Sequence, residues 1–219
     1  MSSPGKTRDD IDEPARPTER NPSPRLNDVP SSVAPYVPTP QNIVRKMLEL
    51  AKAGPDDVVY DLGCGDGRVL FTAVEEFNVR RAVGYEINPY MSESTQRKVA
   101  EKGLNGKVEV INENFFLADI SAASIVTLYL TTSGNSKLKP KFENELHPGT
   151  RVVSHDFPMH GWSTVKSGST DYYEVNSHRI YLYRLPEAYI TEVTIARSPE
   201  EMSQWRRIRA IFLRPNGGS

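Results

Sequence analysis

Three glycines alternate with other residues in a short segment, 58–68, that reads VVYDLGCGDGR. The apolar run at its start predicts a buried strand, and the glycines predict a tight turn that leads into a helix. Glycine is needed where the chain adopts φ > 0 or where a ligand lies against bare backbone. The segment therefore indicates a ligand site at the end of a strand, although glycine turns also serve packing alone and the motif is a weak signal by itself.

Short apolar runs and helical patterns alternate along the chain from residue 41 onwards. Strands are predicted at 58–62, 81–86, 107–112, 124–130 and 150–155, with helices between them and one helix before them. This alternation predicts an α/β fold with a parallel sheet and helices on both faces. The runs at 172–176 and 179–185 predict a closing antiparallel hairpin.

The two ends of the chain differ in composition from its middle. The first 40 residues hold nine of the seventeen prolines, so residues 1–32 are predicted to be a disordered tail. Residues 33–186 are predicted to form the one folded domain. Residues 187–219 are predicted to form an extension with a peripheral role, a strand at 190–195 followed by a capped helix from 198.

Charge and composition exclude several classes of protein. A net charge of −1 and a pI near 6.4 exclude a dedicated nucleic-acid binder. One cysteine, Cys64, excludes a disulfide scaffold and a Cys-based zinc site. The histidines show no metal-ligand spacing, so no metal site is predicted, and no apolar run reaches the roughly 20 residues of a membrane helix. No leader pattern opens the chain, and we expect a cytoplasmic protein that works as a monomer.

Two carboxylates follow predicted strands near the glycine turn. Asp61 ends the first strand and suits a cationic amino group better than a pyrophosphate. Glu86 ends the second strand, where a carboxylate accepts both hydroxyls of a ribose. A nicotinamide enzyme would carry G-x-G-x-x-G, which this turn lacks. The combination predicts S-adenosylmethionine as the ligand, held by Asp61, Gly63, Gly65, Gly67 and Glu86, with Ile87 packed on the adenine.

Residues 33–185 resemble class I methyltransferases, and more narrowly the archaeal broad-specificity protein lysine methyltransferases. Mitochondrial relatives that act on the adenine nucleotide translocase and the ATP synthase c-subunit belong to the same group. The matching stretches are PYVPTP at 35–40, the loop at 60–68, VGYEIN at 83–88, NFF at 114–116, TLYL at 127–130 and GTRVVSHDF at 149–157. The glycine loop is common to all class I enzymes, whereas YVPTP and VVSHDF are more specific to the lysine-modifying group.

The resemblance implies an S-adenosylmethionine-dependent protein-lysine N-methyltransferase with a Rossmann-like sheet. It implies that the segment carrying Tyr36 and Thr39 folds across the methionine end of the cofactor. Thr39, followed by Pro40, also fits a helix N-cap. Asn114 takes the place where many class I enzymes have an aspartate near the adenine amino group. Phe115 either flanks the adenine or belongs to the core, and the sequence leaves both open.

The acceptor side of the site is predicted to follow the fourth strand. Amino-methyltransferases that act on adenine or glutamine carry [DNS]-P-P-[YFW] there, whereas this chain reads LYLTT at 128–132. A lysine amine needs mainly alignment and partial desolvation. Tyr129 is predicted to offer an aromatic wall and Thr131 a hydrogen bond to the amine, with a core role as the alternative for Tyr129. Methyl transfer from a sulfonium requires no general base, so His155 is not assigned a catalytic role.

Two other functions remain open at this stage. A small-molecule methyltransferase would use the same cofactor site, but such enzymes usually add a lid, and the connections between the predicted strands are short. A module that binds the cofactor without catalysis is the other alternative. The glycine turn together with Glu86 argues against it.

Overall fold

The computed structural model describes residues 36–189. Helices and strands alternate as the sequence predicts, and most boundaries lie within two residues of the expected ones. In chain order the elements are α1 (Gln41–Leu50), β1 (Val58–Leu62), α2 (Arg68–Glu75), β2 (Arg81–Tyr85), α3 (Pro89–Glu101), β3 (Val108–Ile111), β4 (Ile125–Leu128), α4 (Thr132–Glu145), β5 (Arg151–His155), β6 (Tyr173–Val175) and β7 (His178–Arg184).

The strands form one seven-stranded sheet in the order β3-β2-β1-β4-β5-β7-β6. The first five strands in chain order pair in parallel, and β7 runs antiparallel to both β5 and β6. A two-residue turn, Asn176 and Ser177, both with positive φ, joins β6 to β7. The predicted class I methyltransferase sheet, parallel with an antiparallel C-terminal hairpin, is confirmed.

Each face of the sheet buries its own hydrophobic core. Side chains alternate along the strands, so Val59 packs on the face covered by α1, α2 and α3, while Tyr60 packs on the opposite face. That second face is covered by α4, through Leu138 and Phe142, and by the connections around Ile120 and Trp162. The helices therefore lie on both faces of the sheet, and the ends of the strands remain open to form a site.

Two boundaries differ from the sequence-based expectation. Helix α1 begins at Gln41, and its N-cap is Pro40 rather than Thr39, whose side chain bonds His155 instead. The fold also continues past Pro186, because Ala188 is buried and its carbonyl accepts a hydrogen bond from the Ser163 amide at 2.7 Å. The predicted tail at 1–32, the strand at 190–195 and the helix from 198 lie outside the described residues.

The helices between residues 36 and 189 are all too short or too polar to cross a membrane.

Candidate active site

A cavity of about 270 Å³ opens at the carboxyl ends of β1 and β4. The strand order reverses there, since β2 lies on one side of β1 and β4 on the other, and ligands of open α/β sheets bind at such a point. All the predicted site residues line this cavity except Gly67 and Thr131. The structure thus brings most of the predicted site residues together at the carboxyl ends of the parallel strands.

The glycine turn uses its glycines in two ways. Gly63, Gly65 and Gly67 have φ of 88°, 53° and 81°, a region that residues with a side chain rarely adopt. Gly65 faces the cavity, and a Cβ there would lie 2.6 Å from the Tyr36 ring. A Cβ at Gly67 would instead lie 2.6 Å from Thr95 Cγ2. Gly67 thus permits close packing between α2 and α3 and does not line the cavity, and the cofactor contact at this position stays a prediction.

Glu86 fixes the geometry of the turn. Its carboxylate is almost fully buried and accepts hydrogen bonds from the Gly65 amide at 3.0 Å and from the Asn88 amide at 2.8 Å. A carboxylate has about four acceptor positions, so both oxygens keep capacity for further donors. Since Glu86 also lines the cavity, it can accept the two hydroxyls of a ribose while holding the backbone that cradles it.

Asp61 is a buried carboxyl at the end of β1. It accepts a hydrogen bond from Thr127 Oγ1 at 2.8 Å. Burial raises its pKa to about 7, against the smaller opposing effect of Thr127, and the charge of Glu86 acts in the same direction as burial. A carboxylate that is costly to ionise alone is well matched to a cationic partner. The methionine ammonium of S-adenosylmethionine is such a partner.

The far end of the cavity is apolar and fits an adenine. Ile87, Phe115 and Phe116 line it, and the two phenyl rings lie 4.8 Å apart. Phe115 is also part of the hydrophobic core, and the adenine contact stays a prediction that its place in the cavity lining allows. Asn114 lines the same end, but its side-chain oxygen already accepts a hydrogen bond from the Phe116 amide at 3.0 Å. Its second lone pair remains for an adenine amino group.

The segment before α1 covers the mouth of the cavity. Tyr36 lies over Gly65, and Thr39 is buried with its hydroxyl 3.0 Å from His155 Nδ1. Arg68, which the sequence reasoning missed, donates to the Thr39 carbonyl at 2.8 Å and pairs with Asp66 of the turn at 2.6 Å. Arg68 therefore ties the segment to the glycine turn. Its position directly after the turn was the signal available in the sequence.

The acceptor side is formed at the ends of β4 and β5. Tyr129 lines the cavity, and its ring centroid lies 3.9 Å from that of His155. Thr131 is the N-cap of α4, with its hydroxyl accepting from the Gly134 amide at 3.2 Å. The Thr131 hydroxyl thus caps a helix outside the cavity lining, and its contact with the substrate amine stays a prediction.

His155 cannot act as a charged residue near neutral pH. It is fully buried, and burial lowers its pKa to about 4 despite the opposing charge of Asp156. Its Nε2 lies 2.9 Å from His178 Nδ1 and 3.2 Å from Asp156 Oδ2. The sequence reasoning did not connect Asp156 with His178, since only the pairing of β5 with β7 brings them together.

The residues present fit S-adenosylmethionine. The bare Cα of Gly65 leaves room that a side chain would fill, Asp61 supplies a negative partner, and Glu86 supplies acceptors. The cavity also joins a polar end at Asp61 to an apolar end at Phe115.

Comparison with known proteins identifies relatives over most of the described range. Residues 61–166 match the ANTKMT methyltransferase domain. The chain is 48% identical over 153 residues to a protein-lysine N-methyltransferase of Saccharolobus islandicus, which covers 70% of this chain and 94% of that protein. It is 31% identical over 131 residues to the adenine nucleotide translocase lysine N-methyltransferase of Mus musculus, which covers 60% of this chain and 56% of the mouse protein.

A solved structure is also similar. It is described as an RNA methyltransferase from Salinibacter ruber in complex with S-adenosyl-L-homocysteine. Its TM-score is 0.65 at 41% identity, covering 69% of this chain and 95% of that one. The archaeal protein and this solved chain match almost over their whole length, whereas the mouse enzyme extends well beyond the matched region.

Proposed function

The chain belongs to the ANTKMT methyltransferase family, and on that premise we propose that it transfers methyl groups to lysine side chains of proteins. It is an enzyme, and its cofactor is S-adenosylmethionine. The observation that carries the lysine proposal is the Tyr129 ring, which lies on the wall of the cavity that the glycine turn also lines. An aromatic face attracts an ammonium group and its methylated forms.

The roles of the cofactor-side residues follow from their chemistry. When bound, S-adenosylmethionine supplies a methyl group on a sulfonium, which is already activated for displacement. Glu86 accepts the ribose hydroxyls, and Asp61 pairs with the methionine ammonium. Tyr36 and Thr39 exclude water from the methionine end, because their segment crosses the mouth of the cavity.

The acceptor amine must reach the cavity in its neutral form. A free lysine ammonium has a pKa near 10.4, so only about one in a thousand is neutral at pH 7. Burial lowers the pKa of His155 to about 4, which makes its ring a weak proton acceptor near neutral pH, and we assign it no role as the base. Partial desolvation against Tyr129 lowers the pKa of the amine, and the alignment of the amine with the methyl group supplies the rest of the acceleration.

Transfer of a radioactive methyl group tests the proposal. The purified enzyme is incubated with tritiated S-adenosylmethionine and cell lysate, and Glu86→Ala serves as the cofactor-impaired control. We expect label in protein bands that a protease removes and a ribonuclease does not, with methyllysine in the hydrolysate. Label confined to the small-molecule fraction, or no label above the control, would contradict the proposal.

An RNA acceptor is the second candidate, favoured by the description of the solved relative. The whole-chain net charge of −1 gives no support to nucleic-acid binding, which normally relies on a basic face. The ribonuclease arm of the same experiment separates the two, since ribonuclease-sensitive label would assign an RNA substrate.

We also propose that the enzyme works in the cytoplasm as a monomer. Light scattering at assay concentration should give the mass of one chain, near 24.6 kDa. Cell fractionation tests the compartment.

A further inference from the structure

Three side chains meet at the junction of β5, β7 and the β6–β7 turn. His155 ends β5, and Asp156 follows it with a φ of 58°, which turns its carboxylate back toward the sheet. His178 begins β7 directly after the two-residue turn, opposite Val175 in the ladder. Antiparallel pairing of β5 with β7 places the three together, although 22 residues separate Asp156 from His178.

The three nearest polar atoms form an almost equilateral triangle. His155 Nε2 lies 2.9 Å from His178 Nδ1 and 3.2 Å from Asp156 Oδ2, and His178 Nδ1 lies 3.0 Å from the same oxygen. A neutral imidazole has one N–H and one lone pair. If only one of the two facing nitrogens carries a proton, the other nitrogen turns its lone pair toward the carboxylate. If both carry one, two N–H groups face each other across 2.9 Å.

A cation above the triangle satisfies all three atoms at once. Ligands bonded to one metal at about 2.1 Å are about 3.0 Å apart at right angles and about 3.4 Å apart in a tetrahedron. The three observed separations, 2.9, 3.0 and 3.2 Å, fall at or near the first value. We propose that His155, Asp156 and His178 form a binding site for one divalent transition-metal ion of the Zn²⁺, Co²⁺ or Ni²⁺ type.

The surroundings orient the three ligands. Metal-bound histidines usually engage their second ring nitrogen in a hydrogen bond, and His155 Nδ1 lies 3.0 Å from Thr39 Oγ1. The other oxygen of Asp156 accepts the Arg179 amide at 2.8 Å, which leaves Oδ2 to face the nitrogens. The ligands are thus held by groups outside the triangle.

The chemistry of the set selects the ion. Two imidazoles and one carboxylate suit Zn²⁺ and its first-row neighbours, whereas Mg²⁺ and Ca²⁺ prefer oxygen ligands. The side chain of His155 is fully enclosed, but those of Asp156 and His178 are 25% and 31% exposed. One side of the site is therefore open, so water or a substrate group can complete the coordination shell.

The test uses untagged full-length protein stripped with a chelator and titrated with Co²⁺, followed by visible absorption and by competition with Zn²⁺. We expect one ion per chain. His178→Gln and Asp156→Asn should each weaken Co²⁺ binding at least about tenfold, the scale of losing a metal-orienting group. His147→Gln is the matched control, because His147 is an exposed histidine that precedes β5 and so lies at the opposite end of this strand from His155.

Cofactor affinity separates a lost site from a lost fold. Since His178 lies outside the cavity lining, His178→Gln should bind S-adenosylmethionine as the wild type does. Equal Co²⁺ affinity in wild type and in His178→Gln, or a loss as large in His147→Gln, would overturn the metal site. If His178→Gln lost cofactor binding, Asp156→Asn would serve as the deciding variant under the same criterion.

Discussion

The cofactor side and the acceptor side of the cavity are built on different principles. The cofactor side consists of the glycine turn and Glu86, and its interactions run largely through the main chain, as in the bond from the Gly65 amide to Glu86. The acceptor side consists of Tyr129, which is supported by side chains from two other segments: its ring lies 3.9 Å from that of His155, and the His155 ring lies 3.0 Å from the Thr39 hydroxyl.

This difference determines how each side responds to change. Binding of a ligand by main-chain groups depends on the backbone conformation and on free space, so one added side chain abolishes that binding. A binding surface made of several side chains depends on each of them only in part, so a single substitution leaves the rest of the surface in place. The cofactor side should therefore show large losses of binding, and the acceptor side should show smaller losses that concern the acceptor.

The largest effect is expected at Gly65. The Gly65→Val substitution places a branched side chain where a Cβ already meets the Tyr36 ring at 2.6 Å, at a φ of 53°. We expect cofactor affinity to fall by more than about 100-fold, because the side chain fills the space of the ligand. Calorimetry measures this directly.

Gly103→Val is the control for Gly65→Val. Gly103 also has positive φ, 66°, but no atom lies within 4 Å of its added Cβ. It should show the backbone strain without the loss of binding. Similar affinities for the two variants would mean that Gly65 serves the turn alone and does not face the ligand.

The next effect is expected at Glu86. Glu86→Ala removes the acceptors for the ribose and leaves the Gly65 and Asn88 amides without their partner. We expect a loss of about 2–3 kcal/mol in cofactor binding, roughly 30- to 150-fold. Glu109→Ala, on the exposed face of β3, is the control and should bind normally. Wild-type affinity in Glu86→Ala would remove the ribose assignment.

The cofactor side was largely readable from the sequence because its parts are local. Asp61 and Gly65 belong to one strand-turn-helix unit, and Glu86 ends the next strand, so a few rules of chain geometry place them. Gly67 shows the limit of that reasoning, since the pattern of alternating glycines does not tell which one faces the ligand and which faces Thr95.

The acceptor side could not be read in the same way. His178 is far from Asp156 in the chain, and nothing in the spacing indicates that β7 returns beside β5 with this register. Thr131 is ambiguous for a local reason: a hydroxyl before a helix is available both for a substrate and for capping, and in the structure it caps α4. Thr39 did the reverse, since it fitted a cap and bonds His155 instead.

A smaller effect on the cofactor side concerns pH. Burial holds the pKa of Asp61 at about 7 in the ligand-free protein, and the cofactor ammonium favours the ionised form. Binding should release a proton, so affinity should rise about 20-fold between about pH 5.5 and about pH 7.5. Calorimetry in two buffers of different ionisation enthalpy gives the number of protons released.

Asp61→Asn is the matched variant for the pH effect. It should bind weakly and without the pH slope. The folded protein holds this proton to a higher pH than the unfolded chain does, so Asp61 lowers the stability of the ligand-free enzyme as the pH rises from about 4 to about 7. Asp61→Asn should therefore unfold at a higher temperature than the wild type at pH 8. A wild-type affinity that is flat with pH would contradict the proposed ion pair.

On the acceptor side, Tyr129→Ala should lower kcat/KM for protein substrates by about 3- to 10-fold, the scale of one cation–π contact of about 1 kcal/mol. Cofactor affinity should change less than kcat/KM. Tyr129→Phe keeps the ring and should retain most of the activity, although it loses the 3.5 Å contact between the hydroxyl and Asp156. Unchanged kcat/KM in Tyr129→Ala would contradict the acceptor role and leave Tyr129 with a core role only.

The smallest effect on the site is expected from shortening the chain at its C-terminal end. Residues 185–189 follow β7 on the side of the sheet away from the cavity, since Arg184 at the end of β7 pairs with Arg151 at the start of β5. A chain that ends at Tyr189 should keep the full cofactor affinity.

A chain that ends at Pro186 should keep this affinity too, but it loses two contacts. These are the 2.7 Å hydrogen bond between Ala188 and Ser163, and the packing of the Tyr189 ring 5.8 Å from that of Trp162. Each of these contacts contributes about 1 kcal/mol, so this chain should melt several degrees lower than the one ending at Tyr189. Loss of cofactor binding in the chain that ends at Tyr189 would show that residues beyond it contribute to the site.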